Sequence, residues 1–211
     1  MLGLFLPRDS WPLLEEKMQA VLRSKEESNR RLIAALQQAG YHVVYEELAA
    51  ATAGGRINRA HIGAEMVKKG YVGSIGEAMS GLLSERAGFY QPPERLSALD
   101  GIALIRKAGG MAVLAHPFLN LTEDELRRFL PRAKAWGLIG METHYSLFDE
   151  KTTAKARQMA AEFGLLESGG SDFHGLHKPD ISLGCGKGHL QVPAAFYEAM
   201  VQAARVPEAA E

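Results

Sequence analysis

Two segments in the second half of the chain end apolar runs in side chains that bind cations: AVLAHP closes on His116-Pro117, and LLESGGSDFH carries Asp172 and His174. A third, GMETHY, carries Glu142 and His144. Asp172 and His174 are two residues apart, so on an extended segment both leave the same side. A carboxylate and an imidazole pointing together suit a borderline divalent cation such as zinc, manganese or iron. Gly169-Gly170 let the backbone turn tightly just before them. Taken alone, the SDxH string reads equally as a helix N-cap with an incidental histidine, and a lone histidine such as His116 is more often a hydrogen-bonded structural residue. Recurrence shifts the balance: each apolar run is short, breaks into imidazole or carboxylate and precedes a helical stretch. That is the pattern of successive β-α units whose carboxyl ends face one pocket, with His116, Asp172 and His174 as the expected metal ligands.

Other residues carry weaker signals. Glu142 and His144 alternate to one side of their run and fit either a second ligand pair or a supporting, substrate-positioning role; a structural strand-end carboxylate is the competing reading. Lys178, beside His177 in HGLHKPD, has the charge to neutralise a phosphate oxygen, against the reading of a solvated lysine. Arg59 and His61 in GRINRAHIG follow a glycine-rich turn at a helix start, where unpaired backbone donors and cationic side chains favour anions; a solvated helix face is the alternative. Cys185 is the one cysteine and is expected to be an inert packed thiol, which is compatible with a reducing compartment. No GxGxxG, Walker A, CxxC, HExxH or GxSxG string occurs, which leaves a divalent-metal hydrolase as the sharpest enzyme class.

The elements that must position these residues are legible from periodicity. Strands are expected near 111–115, 138–143 and 165–169, and helices near 122–136, 149–163 and 193–204. Steps of about 27 residues fit β-α crossovers in a parallel sheet or barrel. Ser97 begins a further helix that stops at Gly109-Gly110, and Gly3 to Leu6 reads as a short buried strand. Apolar positions from Trp11 through Gln38 follow helical spacing, with the polar stretch Ser24 to Arg31 as an expected division into two helices. Between Tyr41 and Pro93 the segments are short and helical: EELAAAT, then Arg59 to Lys69 capped by Asn58, then Ser74 to about Leu83 with Glu77 in capping-box position. Gly54-Gly55, Gly70, Gly73 and Pro92-Pro93 separate them.

At 211 residues and 46% hydrophobic content the chain can bury one sizeable core and a smaller satellite. A formal charge of −1, from 24 basic and 25 acidic residues, gives no broad footprint for nucleic acid or an anionic membrane, so no nucleic-acid duplex is expected as a partner, but it leaves room for a local phosphate pocket. The opening residues lack a basic segment and a long apolar run, so a cytoplasmic location is expected.

The combination of VLAHP, a GxE strand and SGGSDFHG-x-x-KP followed by LGCG resembles the PHP superfamily, specifically its bacterial phosphoesterases related to nucleotide and nucleoside-bisphosphate phosphatases. GRINRAHIGAEMVKKGYV is similar to the GRxH-I helix of that family's insertion. The resemblance implies an α/β fold, a distorted (β/α) barrel of PHP type, with residues 1–18 and 97–211 as barrel and 19–96 as a helical insertion. It implies two or three divalent metal ions (Mn, Zn or Fe) that hydrolyse phosphate esters through a metal-activated water. His116, Asp172 and His174 match the family's ligands, Arg59 and His61 its phosphate-facing insertion positions, and Lys178 its KP position. The substrate implied is a small phosphorylated molecule such as a nucleotide. The family's HxHxxxSDG strand has no counterpart in these 211 residues, so the barrel is expected to be incomplete and this polypeptide alone feeble or inactive. Exposed barrel edges would then invite self-association. Two other readings stay open: a non-catalytic phosphate- or nucleotide-binding module, and a metal-dependent hydrolase of non-phosphate substrates.

Overall fold

The computed structural model describes residues 1–52, 56–175 and 178–205, so Gly54-Gly55 and His177 lie outside the described residues. The chain divides into two units, one of residues 1–14 and 96–211 and one of residues 15–95. In the first, strands β1 (Leu2–Leu4), β2 (Met111–Leu114), β3 (Leu138–Tyr145) and β4 (Leu166–Gly170) form one sheet in that order. Strands β2, β3 and β4 run parallel, whereas β1 lies antiparallel on β2 with Leu2 opposite Val113. The sheet is open among the described residues and no barrel closes. β1 is also two residues shorter at its end than expected and only half-buried, because Phe5 turns into a left-handed conformation (φ 53°).

Five further helices belong to the second unit or lead into or out of it: α1 (Trp11–Gln38), α2 (Tyr45–Ala51), α3 (Arg59–Lys68), α4 (Ile75–Ser80) and, at the return to the first unit, α5 (Ala98–Lys107). The crossovers of the sheet are α6 (Glu123–Ala135) and α7 (Glu150–Glu162), and α8 (Ala194–Arg205) follows β4. One face of the sheet buries Ala112, Leu114, Leu138 and Met141 against Ile102 of α5, Leu126 and Leu130 of α6 and Met159 of α7. On the other face Met111 and Val113 pack on Met200 of α8. The helical unit has its own core around Leu32, Leu36, Ile62, Met66 and Leu83. Among the described residues no helix is long and apolar enough to cross a membrane.

Two helices depart from the sequence expectation for identifiable reasons. α1 is one uninterrupted helix of 28 residues, not two. Its polar middle is sustained by Glu26–Arg30 and Glu27–Arg31 pairs one turn apart, and its buried Ser28 and Asn29 donate across to the carbonyls of Gln91 and Ile57. α4 ends at Ser80, short of Leu83, where Gly81 leaves helical geometry with φ −98° and ψ −113°. Ser74 caps α4, but Glu77 turns back to the Gly73 amide and leaves the capping box unclosed.

The capping box of α6 is complete: Thr122 Oγ1 accepts from the Glu125 amide at 3.3 Å and Glu125 Oε2 accepts from the Thr122 amide at 2.8 Å. Thr122→Ala is expected to cost about 1 kcal/mol, and Leu130→Ala, which opens a cavity where the side chain is wholly buried, about 2–5 kcal/mol. Urea unfolding of both variants checks the order, and equal losses would contradict it.

Candidate active site

The parallel register brings the carboxyl ends of β2, β3 and β4 to one edge of the sheet. His116 follows β2 with φ 28° and ψ 59°, ahead of Pro117, and Asp172 follows β4 with φ 57°. Left-handed backbone at a non-glycine residue costs on the order of 1–3 kcal/mol and collects where function requires it. Two of the three such residues among those described stand at this edge; the third is Phe5.

Glu142, in β3, links the strand ends. Its carboxylate is 5% exposed and accepts the His116 backbone N–H at Oε2, 2.6 Å away. Burial pushes its carboxyl above the usual range and the Asp172 charge adds to this, while the His116 amide and the Met1 ammonium oppose it. Gly170 makes room for it, since a Cβ there would lie 2.9 Å from Glu142 Oε1.

Tyr145, at the end of β3, carries the contact onward. Its ring lies 5.2 Å from the His116 imidazole, and its hydroxyl donates to Asp172 Oδ2 at 2.9 Å. Burial, then the Asp172 carboxylate, raise the phenol to about 12. Lys178 also donates to Asp172 Oδ2. Burial works to raise the Asp172 carboxyl, but the hydrogen bonds from Lys178 and Tyr145 outweigh it and hold the group below its ordinary value. His174 Nδ1 lies 3.3 Å from Asp172 Oδ1 and 2.8 Å from the Asp172 carbonyl. The loop beyond is tied down by Ser146, whose hydroxyl donates to the Ser171 carbonyl at 2.8 Å.

These contacts test whether a divalent ion fits. His116 Nδ1 is buried with no hydrogen-bond partner, the only such side-chain atom among the described residues, and a buried polar atom left unpaired is costly. It stands at the same edge as two carboxylates, a donor set suited to a divalent cation. The centre is not preassembled, however: among the described residues no three His, Cys, Asp or Glu groups converge closely enough to hold a metal ion. The reason is local. Lys178 occupies Asp172, and His174 is turned toward the backbone of its own loop.

Of the remaining expected residues, Lys178 stands at the edge as the partner of Asp172. His144 is parted from Glu142 by a register shift between them and packs its ring 5.2 Å from Phe196, with Nδ1 3.0 Å from the Thr143 hydroxyl. Burial lowers its pKa. Arg59 and His61 belong to the helical unit. The Arg59 guanidinium donates to the Leu83 carbonyl at 3.0 Å and stacks 4.0 Å over the Tyr90 ring. His61 completes the Asn58 capping box, accepting the Asn58 amide at Nδ1. Cys185 is exposed, contrary to the packed thiol expected from its SLGCGKG context. Tyr145 went unnoticed in the sequence; its place one residue after His144, at the close of the same apolar strand, was the available signal.

No family profile matches the chain. It is 34% identical over 167 residues to a 5′-3′ exoribonuclease of Haemophilus influenzae, covering 75% of this chain and 59% of that one. It is 28% identical over 142 residues to the phosphoribosyl 1,2-cyclic phosphate 1,2-diphosphodiesterase of Eggerthella lenta, covering 66% of this chain and 53% of that one. The chain thus spans little more than half the length of these curated relatives. Among solved structures, an amidohydrolase of Chromobacterium violaceum with bound sulfate and no metal superposes with a TM-score of 0.65 at 24% identity, over 92% of this chain and 67% of that one. A candidate metal-dependent phosphoesterase of Bifidobacterium adolescentis gives 0.61 at 24% identity, over 89% and 65%. The chain shares their α/β fold.

The raised Glu142 carboxyl has a signed consequence. A group whose folded pKa exceeds its unfolded value, ordinarily 4.5, supports the fold below that value and loses this contribution as pH rises through the folded pKa. Glu142→Gln keeps an acceptor for the His116 amide without the charge. Its stability relative to the wild type is expected to improve as pH rises above the ordinary carboxyl value of 4.5, read by urea unfolding; a pH-independent difference would contradict the assignment.

Proposed function

We propose that this chain is a metal-dependent phosphoesterase of PHP type acting on a nucleotide or the phosphoester of a ribonucleotide chain, its open sheet a sector of the distorted barrel. The observation that carries the reading is the buried, unpartnered His116 Nδ1 at a strand edge shared with Glu142 and Asp172. The named relatives support it, since they are an exoribonuclease and a phosphodiesterase, and a structural neighbour is described as metal-dependent. A cytoplasmic setting goes with the exposed, unpaired Cys185.

His116, Asp172 and His174 would hold the divalent ions. Such ions supply Lewis acidity to phosphoryl oxygens and a nucleophile at neutral pH. The rest is the work of this chain's own groups. Glu142 fixes the strained His116 backbone through its amide. Tyr145 packs on the His116 ring and orients the Asp172 carboxylate. Lys178, once released from Asp172, is free to bind a phosphate oxygen. A second reading, a nucleotide-binding module without turnover, is favoured by one observation: Lys178 stands on the carboxylate that a metal would use.

The 211-residue chain, supplied with Mn²⁺ or Zn²⁺, is assayed on bis(p-nitrophenyl) phosphate and on a 5′-phosphorylated oligoribonucleotide. Hydrolysis is expected to disappear with chelator and to fall by at least about 100-fold in His116→Ala and in Asp172→Asn, since loss of the hydrogen-bond partners that merely support metal ligands already costs about 10–100-fold. Equal rates with and without chelator overturn the metal mechanism. Nucleotide binding with no hydrolysis under any metal selects the binding module.

A further inference from the structure

The helical unit holds a second cationic feature. Three small polar side chains on one flank of α1 each reach across to backbone. The Ser24 hydroxyl accepts the Glu94 N–H at 2.9 Å, the Ser28 hydroxyl donates to the Gln91 carbonyl at 2.5 Å, and the Asn29 amide donates to the Ile57 carbonyl at 2.9 Å. These bonds clamp segments 56–58 and 90–95 alongside the helix, which explains why so polar a stretch sits in the middle of α1.

The clamped segments bring Arg56 and Arg95 up beside Arg23 and Lys25 of α1, with Arg59 following directly. Two adjoining cavities result. One, of about 230 Å³, is lined by Arg23, Lys25, Glu26, Tyr45 and Arg56 among others. The other, of about 430 Å³, is lined by Lys25, Asn29, Arg59, Tyr90 and Arg95 among others. Lys25 borders both, so they form one groove along the helix. Five cationic side chains line it against two carboxylates, Glu26 and Glu94. Glu26 is already engaged by Arg30 and by the Tyr45 hydroxyl. Arg23, Lys25 and Arg95 are exposed, and none has an ion pair or side-chain hydrogen bond among the described residues. In a chain whose formal charge is −1, this concentration of uncommitted positive charge is local.

We infer that this groove binds the phosphodiester backbone of single-stranded RNA. A lone phosphate or mononucleotide would engage one cavity, whereas successive phosphates of a strand reach cations on both sides of Lys25. The two tyrosines are not stacking platforms: Arg30 lies 3.6 Å over the Tyr45 ring and Arg59 4.0 Å over Tyr90. Recognition is therefore of backbone charge and independent of sequence. The choice of RNA rests on the phosphoester reading above; the groove itself does not involve His116 or Asp172.

The test is fluorescence anisotropy of the 211-residue chain with a labelled 5′-phosphorylated oligoribonucleotide of about 12 residues, in chelator so that no hydrolysis occurs, across a salt series. Lys25→Glu with Arg95→Glu is expected to weaken binding by at least about tenfold and to flatten the slope of log affinity against log salt by about 0.7 for each phosphate no longer neutralised. Lys25→Ala with Arg95→Ala, whose melting should match the wild type, gives the same direction with a smaller loss. Thr122→Ala, which alters a helix cap in the first unit and none of the groove, should bind as the wild type does. Groove-dependent binding here together with no hydrolysis under any metal in the assay above would defeat the phosphoester reading and leave the groove standing. Wild-type affinity in both double variants, no binding by the wild type, or equal affinity for AMP and the oligomer would overturn the groove.

Discussion

A carboxylate nearly removed from water must find a donor, and Glu142 finds it in the backbone amide of His116. Most of the strand edge follows from that one bond. To present its N–H to β3, the chain leaving β2 adopts a backbone conformation that an L-residue resists, and Pro117 then carries it away into a short helical turn. The bend leaves the His116 ring packed on Tyr145 with one nitrogen unpaired. On the opposite side Glu142 needs glycine at position 170, and the chain just beyond it turns at Asp172 into the same unfavourable region. Strain at His116 is thus tied to the satisfaction of one buried carboxylate.

The parallel part of the sheet was legible in the sequence because each strand is a short apolar run followed by a helical stretch; β2, β3 and β4 and helices α6 to α8 stand within a residue or two of their expected places. β1 was less legible. Its end is set by the left-handed turn at Phe5, which no periodicity reports. The polar middle of α1 misled for a physical reason: Ser28 and Asn29 look like breakers in isolation, but their hydrogen bonds reach residues far along the chain. Tertiary partners decide such positions, not local preference.

The candidate site divides in the same way. His116, Glu142 and Asp172 stand at one edge because β2, β3 and β4 run parallel, so that their carboxyl ends fall together. What the chain's order could not convey is which neighbour each group would take. Asp172 lies with Lys178 and Tyr145, His61 closes a helix cap, and a register shift sends His144 to Phe196. Each outcome depends on distances between side chains that belong to different elements or to the far side of a loop.

Tyr145 has a consequence for how charge can vary at this edge. With its phenol held at about 12, it remains an O–H throughout the neutral range and serves Asp172 as a donor. It permanently reserves one direction of Asp172 Oδ2, while the ammonium of Lys178 shares the same oxygen as a detachable guest. The electrostatic character of the strand edge is therefore set by which cation stands beside Asp172, with the tyrosine as a fixed spectator that keeps the carboxylate aimed while its companion changes.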